Sequence, residues 1–456
     1  MSRLAWFSPM PPVATGIARC SAELVPALAG RHEIDVFVDQ KNLALANGSR
    51  ASGGAPLRSA YDFAWEHHKR PYDLVVYQLG NSSHHDYQWP YVFRYPGLAV
   101  LHDAHLHHAR AACLLRTFRA ADYRTEFVEN HPDAHADLAE LAIAGFDNHL
   151  HYAFPMTRLV ALRSRRVAVH ARASAERLRD EARGAAIESL RLGHGVELSD
   201  DESARRGRQA RERYAITRDA IVFGCYGGLT RDKRVPQILA AFAATRVHEP
   251  RMHLLLAGAV PAQYDLAGDI ARLGLEDSCT VTGYLETDDE FASAIAACDV
   301  SMNLRWPTAR EISGPWLWCL AAGKPTVTID LTHTAHVPSL DPRTWQSTAT
   351  SADAPCTVAI DILDEDHSLR LAMRRLATDA ALRGSLGRAA RQYWRDNHSV
   401  AAMVSDYRRL VDDVLRDAHA PLDPAKLPDH LRDDGGGTLR RVMRSFDLPL
   451  PFPRRP

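Results

Sequence analysis

The feature that most restricts this chain is a rhythm: short apolar, β-branched runs alternate with longer stretches of helical spacing, and the whole series occurs twice. In the first half the runs begin at Leu4 (LAWF), Ile34 (IDVFVD), Leu74 (LVVYQL), Leu98 (LAVLHD) and Arg166 (RVAVHA). In the second half they begin at Ala220 (AIVFGCYG), His253 (HLLLAGA), Cys279 (CTVTGY), Val300 (VSMNL), Pro325 (PTVTID) and Thr357 (TVAID). Strands covered on both faces read as continuous apolar runs, and alternation with helices builds parallel sheets. The spacing therefore predicts two α/β units, which agrees with a length of 456 residues, too long for one core.

The stretch SDDESARRGRQARERYAIT from Ser199 is charged and poor in large apolar residues, and reads as a linker or an exposed helix. It puts the boundary between a first domain over 1–200 and a second over 201–398. Residues 109–158 or so carry an almost wholly helical pattern, too long for a simple crossover, and are expected to form a helical insertion in the first domain. Its Leu114, Leu115, Phe118, Tyr123 and Phe127 read as core packing, with a surface for a lipid-linked acceptor as the rival. Over 399–418 a single stripe through Val400, Met403, Val404, Tyr407, Leu410, Val411, Val414 and Leu415 predicts a terminal docking helix. The 419–456 tail, with PLDPAKLPDH, a GGG run and LPLPFPRRP, is expected to be mobile; peripheral membrane or partner contact is its alternative.

Composition removes several function classes. Lys plus Arg is 55 against 56 for Asp plus Glu, so no global field draws the chain to nucleic acid. Seven scattered cysteines without a C-x-x-C pair argue against a disulfide framework or a zinc module. Proline interrupts the N-terminal sequence before any signal-like apolar run, and no stretch approaches the ~20 apolar residues of a membrane span. A cytoplasmic protein is expected, at most touching the inner face of a membrane.

Four segments carry chemistry. SPMPPVATGIARC places Gly16 at a helix start after a strand, where free N–H groups and the helix dipole suit a phosphate or a sugar hydroxyl; an ordinary turn capped by Thr15 competes with that reading. LAVLHDAHLHHAR delivers His102 and Asp103 to the carboxyl end of a strand, where open α/β sheets place ligands, so that His102 is a candidate to contact substrate, with ordinary satisfied or exposed histidines as the rival reading. A metal site from its five His and Asp side chains is disfavoured because helix geometry does not bring them to one face. IVFGCYGGLTRDKRV joins the Gly227-Gly228 turn to Arg231, Lys233 and Arg234, backbone donors and cations that suit a diphosphate, without a Walker pattern; a solvated basic turn is the competing reading. DVSMNLRWPTAREISGPWLW converges Arg305, Glu311 and the Ser313-Gly314 helix start, so that a carboxylate for sugar hydroxyls adjoins amides for a diphosphate. The competing reading has Glu311 capping the helix and pairing with Arg305.

At these residues the chain resembles the retaining glycosyltransferases of family four (glycosyl transferases group 1). GGLTRDK, LLLAGA, VTGYL, CDVSMNLR, PTAREISG and LAAGKPTV follow in that family's order between Ile221 and Asp330. The resemblance implies the GT-B fold, two facing Rossmann-like domains, with donor bound mainly by the second and acceptor by the first. It assigns Lys233 to the donor diphosphate, Glu311 to the transferred sugar, and the Ser313 and Gly314 amides to the distal phosphate. Gly16, Gly227, Gly228, Arg231, Tyr284, Arg305 and Ile312 complete the expected donor-binding set, and His102 and Asp103 join Lys233 and Glu311 as catalytic candidates. Two positions depart from the pattern: the family's usual arginine falls at Gly228, and the second glutamate of its Glu-x7-Glu motif at Cys319. Arg231 is a candidate to replace the missing charge, and the cysteine leaves the nucleotide's identity open.

The function so implied is transfer of a hexosyl unit from a nucleotide sugar to a glycan or lipid-linked acceptor in polysaccharide biosynthesis, with retained configuration. The route is front-face and metal-independent, cations and amides stabilising the departing diphosphate, and no cofactor is needed. A nucleotide-sugar epimerase of the same fold, or a degenerate module that only binds a sugar nucleotide, are the alternatives.

Overall fold

All of the expected runs form strands. The computed structural model of the protein describes residues 1–13, 15–39, 50–146, 149–348, 353–417, 420–432 and 442–448. The strands are β1 (Arg3–Phe7), β2 (Glu33–Val38), β3 (Leu57–Ser59), β4 (Leu74–Leu79), β5 (Leu98–Leu101), β6 (Arg166–Val169), β7 (Ile187–Ser189), β8 (Ile221–Tyr226), β9 (Met252–Ala257), β10 (Cys279–Val281), β11 (Val300–Met302), β12 (Thr326–Ile329), β13 (Ser339–Leu340) and β14 (Thr357–Ile360). They build two seven-stranded sheets, ordered β3-β2-β1-β4-β5-β6-β7 and β10-β9-β8-β11-β12-β14-β13. The pairing is parallel in both, for example Phe7 beside Tyr77 and Val300 beside Phe223. In each sheet the chain runs outward on one side and then returns to start the other, so the order reverses between β1 and β4 and between β8 and β11. Such switch points leave a crevice at the carboxyl ends of the strands.

The chain divides into a compact unit of Met1–Ser189 with Arg408–Pro456 and a second of Leu190–Tyr407. The division thus falls eleven residues before the expected one, and the charged stretch belongs to the second unit. It is no linker: Asp200–Arg213 is a helix capped by Ser199, whose hydroxyl accepts from the Glu202 amide at 3.3 Å. It docks through small residues instead of an apolar stripe. A Cβ on Gly207 would meet the Ala296 carbonyl oxygen at 2.7 Å, so backbone approaches backbone there.

The expected insertion is present between β5 and β6 as helices His107–Arg116, Ala120–Asn130, Asp137–Ile143, Leu150–Ala153 and Arg158–Arg163. Leu114, Tyr123 and Phe127 are buried in its own small core with Ala111 and Met156, and Leu115 packs against that core. Of the five residues weighed as a lipid surface, Phe118 alone stands out in solvent. Within the insertion Arg110 and Glu126 form a buried ion pair, and His430 reaches Glu126 at 2.6 Å.

Helix Val400–Arg416 follows the predicted stripe, with Met403, Tyr407, Leu410, Val411 and Val414 buried. Residues up to Tyr407 count with the second unit and those from Arg408 with the first. The mobile tail is corrected for 420–432: Leu427 and Leu431 are buried in the first unit's core, and the Leu422 amide donates to the Leu162 carbonyl at 2.8 Å. Leu427 and Leu431 anchor this proline-containing segment, each buried side chain contributing roughly 1.5–3 kcal/mol, and the Leu422 hydrogen bond and proline's restricted backbone add to its order. The GGG run and most of LPLPFPRRP lie outside the described residues.

Candidate functional site

In the second unit the two loops singled out by sequence leave neighbouring strands at the switch point. After β8 comes the Gly227-Gly228 turn, a short turn over Arg231–Lys233 and helix Val235–Arg246; after β11 comes the segment 303–313 and helix Gly314–Ala321. The loops are tied together: the Trp306 amide donates to the Asp232 carbonyl at 2.7 Å. Arg305 lies 2.8 Å from Glu311 Oε1 and 3.4 Å from Asp232 Oδ2.

Lys233 folds back so that Nζ donates to the Tyr226 carbonyl. Gly227, at φ +82°, makes this approach feasible, because a Cβ there would stand 2.6 Å from Nζ and 3.6 Å from Pro315 at the start of helix Gly314–Ala321. Burial lowers the Lys233 ammonium to about 8, with Arg305 adding repulsion. A desolvated cation with few counter-charges is poised to gain from an arriving anion.

Glu311 is held from both sides. Thr308 Oγ1 donates to Oε2 at 2.8 Å, and Arg305 faces Oε1 without hydrogen-bond alignment, leaving that oxygen able to accept from a ligand hydroxyl. The pairing with Arg305 that sequence reasoning set against a sugar role is therefore present, but the capping is not. Ser313 caps the helix, its hydroxyl accepting from the Trp316 amide at 3.4 Å. Arg310, at φ +59°, adopts a left-handed conformation costly for a side chain of its size, which turns the loop just ahead of Glu311.

The other expected donor residues fall as follows. Gly228 has only Thr230 Cγ2, at 3.9 Å, near a built Cβ, so packing does not demand glycine there. Arg231 sits with its guanidinium 5.6 Å from the Tyr264 ring centroid, and Arg234 pairs with Glu365, which withdraws one cation from the loop. Tyr284 is exposed on the loop after β10. Cys319 is fully buried, accepts from Ser301 Oγ at 3.0 Å, and has its thiol pushed up to about 12 by burial. Sequence reasoning missed Asn303, Asp330 and His333, which line a pocket together with Arg305, Glu311, Ile312 and Ser313. Nothing local marks them, because adjacency of β11 and β12 brings them in.

In the first unit Gly16 opens helix Gly16–Ala29, capped by Thr15, with nothing within 4 Å of a built Cβ. His102 follows β5, and both its ring nitrogens are engaged: Nε2 with Gln78 Oε1 at 2.7 Å and Nδ1 with His170 Nε2 at 3.1 Å. Burial, then His170 and His85, hold it well below the usual histidine range, so it is neutral. Asp103 Oδ2 accepts from the Asn81 amide at 2.6 Å, a loop-shaping bond. His105 and His107 are buried, the latter bonded to Phe154 O and Tyr123 Oη. Among the described residues no group of three His, Cys, Asp or Glu is placed to hold a metal ion, and no helix is long and apolar enough to cross a membrane.

Residues 208–337 match the family model described as glycosyl transferases group 1. No curated protein sequence matches the chain. Among solved structures it is similar to Anabaena Alr3699/HepE in complex with UDP-glucose, at 14% identity and a TM-score of 0.61, over 91% of this chain and 100% of that one. It is likewise similar to WaaG, a glycosyltransferase involved in lipopolysaccharide biosynthesis (15%, TM-score 0.59, 90% and 99%). The catalytic domain of starch synthase IV from Arabidopsis thaliana, bound to ADP and acarbose, gives 12% and 0.61 over 91% and 100%. At these identities the likeness is one of fold, and the fold is GT-B.

Proposed function

We propose that the protein is a glycosyltransferase that takes a hexosyl unit from a nucleoside-diphosphate sugar and passes it to a glycan or lipid-linked acceptor. The observation that carries this reading is the convergence of Lys233 and Glu311 from adjacent strands, their loops joined by Arg305 through Asp232 and Glu311, ahead of the Ser313 and Gly314 amides at the start of helix Gly314–Ala321. An anionic diphosphate fits the ammonium and the amides, and hydroxyls fit the carboxylate. The group 1 match over this segment and the UDP-glucose held by HepE support the same assignment.

Catalysis rests on charge. As the glycosidic bond to the diphosphate lengthens, negative charge grows on the leaving oxygens, where Lys233 and the Ser313 and Gly314 amides strengthen their grip relative to the ground state. These groups supply the positive charge, so the reaction is metal-independent and needs no cofactor. Glu311 orients the hexose and stabilises its developing positive character. Configuration is retained, in keeping with the resemblance to family four. His102, with both nitrogens engaged, serves to orient His170 and Gln78 and does not take the acceptor proton itself. The reaction runs in the cytoplasm, at the inner face of a membrane where the acceptor is lipid-linked.

A thermal-shift panel of nucleoside diphosphates and their hexose conjugates tests the reading. A ligand at 100 times its Kd adds about 2.7 kcal/mol, which raises Tm by roughly 5–10 °C in units of this size. Stabilisation by one nucleotide series, followed by acceptor-dependent release of its diphosphate, is the expected result. Conversion of donor without an acceptor would mark an epimerase, and tight binding without turnover over many acceptors a binding module, a reading that the buried thiol of Cys319 favours. No stabilisation by any member would overturn the assignment.

A further inference from the structure

Strands packed on both sides of a parallel sheet ordinarily turn aliphatic side chains to the covering helices. Next to Glu311 this sheet does something else. Thr326 and Thr328 on β12, Thr357 on β14 and Ser339 on β13 put hydroxyls into the interior, where Thr326 and Thr357 are almost fully buried. They are linked: Trp316 Nε1 donates to Thr326 Oγ1 at 3.1 Å, Thr326 Oγ1 to Thr357 Oγ1 at 2.8 Å, and Thr328 Oγ1 lies 3.2 Å from Thr357 Oγ1. Thr357 Oγ1 donates in turn to the Thr326 carbonyl at 2.9 Å, so the buried hydroxyls are satisfied within the sheet, as a polar stripe in a core must be, and they give this wall of the core a polar character. Thr328, Thr357 and Ser339 line the same pocket as Glu311.

His333 lies in the same pocket, 6% exposed, and its ring makes no hydrogen bond to a described residue. Burial lowers it to about 4, so at neutral pH it offers one N–H donor and one bare nitrogen acceptor. Asp330, at the carboxyl end of β12, is fixed by its amide, which donates to the Ile360 carbonyl at 2.9 Å, and its carboxylate adds an acceptor to the rim. Ile312 and Trp316 supply apolar surface for a C–H face. Two carboxylates and a neutral imidazole, with Arg305 partly offsetting the charge of Glu311, offer a mixed set of hydrogen-bond donors and acceptors that suits a polyol.

We infer that this pocket receives the ring of the transferred hexose and that Asp330 and His333 read its hydroxyls, which makes them the residues that choose the donor sugar. The inference rests on the reading of Glu311 as the sugar-holding carboxylate, because Glu311 belongs both to the loop tied to Lys233 and to the pocket. A site built to hydrogen-bond a hydroxyl rejects the epimer that misplaces it, since buried polar groups are then left unpaired.

The test uses the full chain and two variants: Asp330→Asn, at an exposed position that leaves the core intact, and His333→Phe, which keeps ring volume. Calorimetric titration of UDP, GDP, ADP and dTDP, and of their glucose, galactose and mannose conjugates, first identifies the nucleotide and sugar bound by wild type. Each variant is expected to weaken the preferred conjugate about tenfold, to leave the free diphosphate within about twofold, and to flatten the preference among epimeric sugars. Equal effects on conjugate and free diphosphate, or an unchanged epimer preference in Asp330→Asn, would overturn this inference alone. A wild type that binds none of these ligands would overturn the glycosyltransferase reading and this one with it.

Discussion

Replacing Lys233 by alanine separates a diphosphate grip from a merely structural lysine. Its ammonium is held at the Tyr226 carbonyl beside the bare Cα of Gly227 and is lowered to about 8 by burial. With that value about nine-tenths of the chains are charged at pH 7 and about one-tenth at pH 9. A ligand that requires the charged form therefore binds about tenfold more weakly at pH 9 than at pH 7. The phosphate's own second ionisation, near 6, is complete over this range and adds no slope. At pH 7 the substitution removes a charge-assisted hydrogen bond worth about 1.5–3 kcal/mol, roughly a 10- to 100-fold loss in Kd. Calorimetry with the donor's free diphosphate at pH 7, 8 and 9 and constant ionic strength gives both numbers. Heats in buffers of different ionisation enthalpy add a third, since wild type takes up nearly one proton per ligand at pH 9 and Lys233→Ala none. Parallel pH dependence in the two proteins, or unchanged affinity in the variant, would refute the argument.

Glu311→Gln should leave free diphosphate binding within a few-fold while lowering donor turnover on the order of 100-fold, because the carboxylate acts on the sugar; initial rates with the identified donor check this. Cys319→Glu, which restores the family's second carboxylate, should destabilise the second unit by more than about 3 kcal/mol in denaturant titration, as it forces a larger charged side chain into a site with no exposure. Retained stability with tighter nucleotide binding would show instead that the position opens onto the donor. Arg110→Met leaves Glu126 buried with only His430, and should cost the first unit about 3–5 kcal/mol. Burial raises the Glu126 carboxyl, yet Arg110 more than reverses this, so its folded pKa is lowered. That stability is present above the unfolded carboxylate value and is lost as pH falls through the lowered one, so the gap between variant and wild type should narrow in acid.

The strands were legible because buried strands announce themselves: each of the runs singled out as a strand became one. β3, β7 and β13 did not, being two or three residues long with polar members such as Arg58, Glu188 and Ser339. Of the two readings of Asp200–Arg213, linker or exposed helix, the helix holds; sequence left them open because the helix packs through Gly207 and Ala210, and a backbone contact leaves no stripe in sequence. The 420–432 segment looked mobile because proline and charged residues surround its few leucines, although Leu427 and Leu431, four residues apart, anchor it. Within the site, Lys233 and Glu311 stood out because each lies in a loop between a strand and a helix start. Asp330, His333 and the threonine stripe did not, since pairing of β12 with β14 and β11 assembles them across the sheet. The engagement of His102 by Gln78 and His170 was equally hidden, as these residues stand 24 and 68 positions away.

The central claim is that one diphosphate meets Lys233 and the start of helix Gly314–Ala321 while its hexose meets Glu311. A crystal structure with the donor selected in the thermal-shift panel tests it directly. The account requires a phosphate oxygen within hydrogen-bond distance of Lys233 Nζ and of the Ser313 or Gly314 amide, and a sugar hydroxyl on Glu311. A nucleotide sugar ordered elsewhere, with Arg305 and Glu311 still paired and untouched, would contradict it.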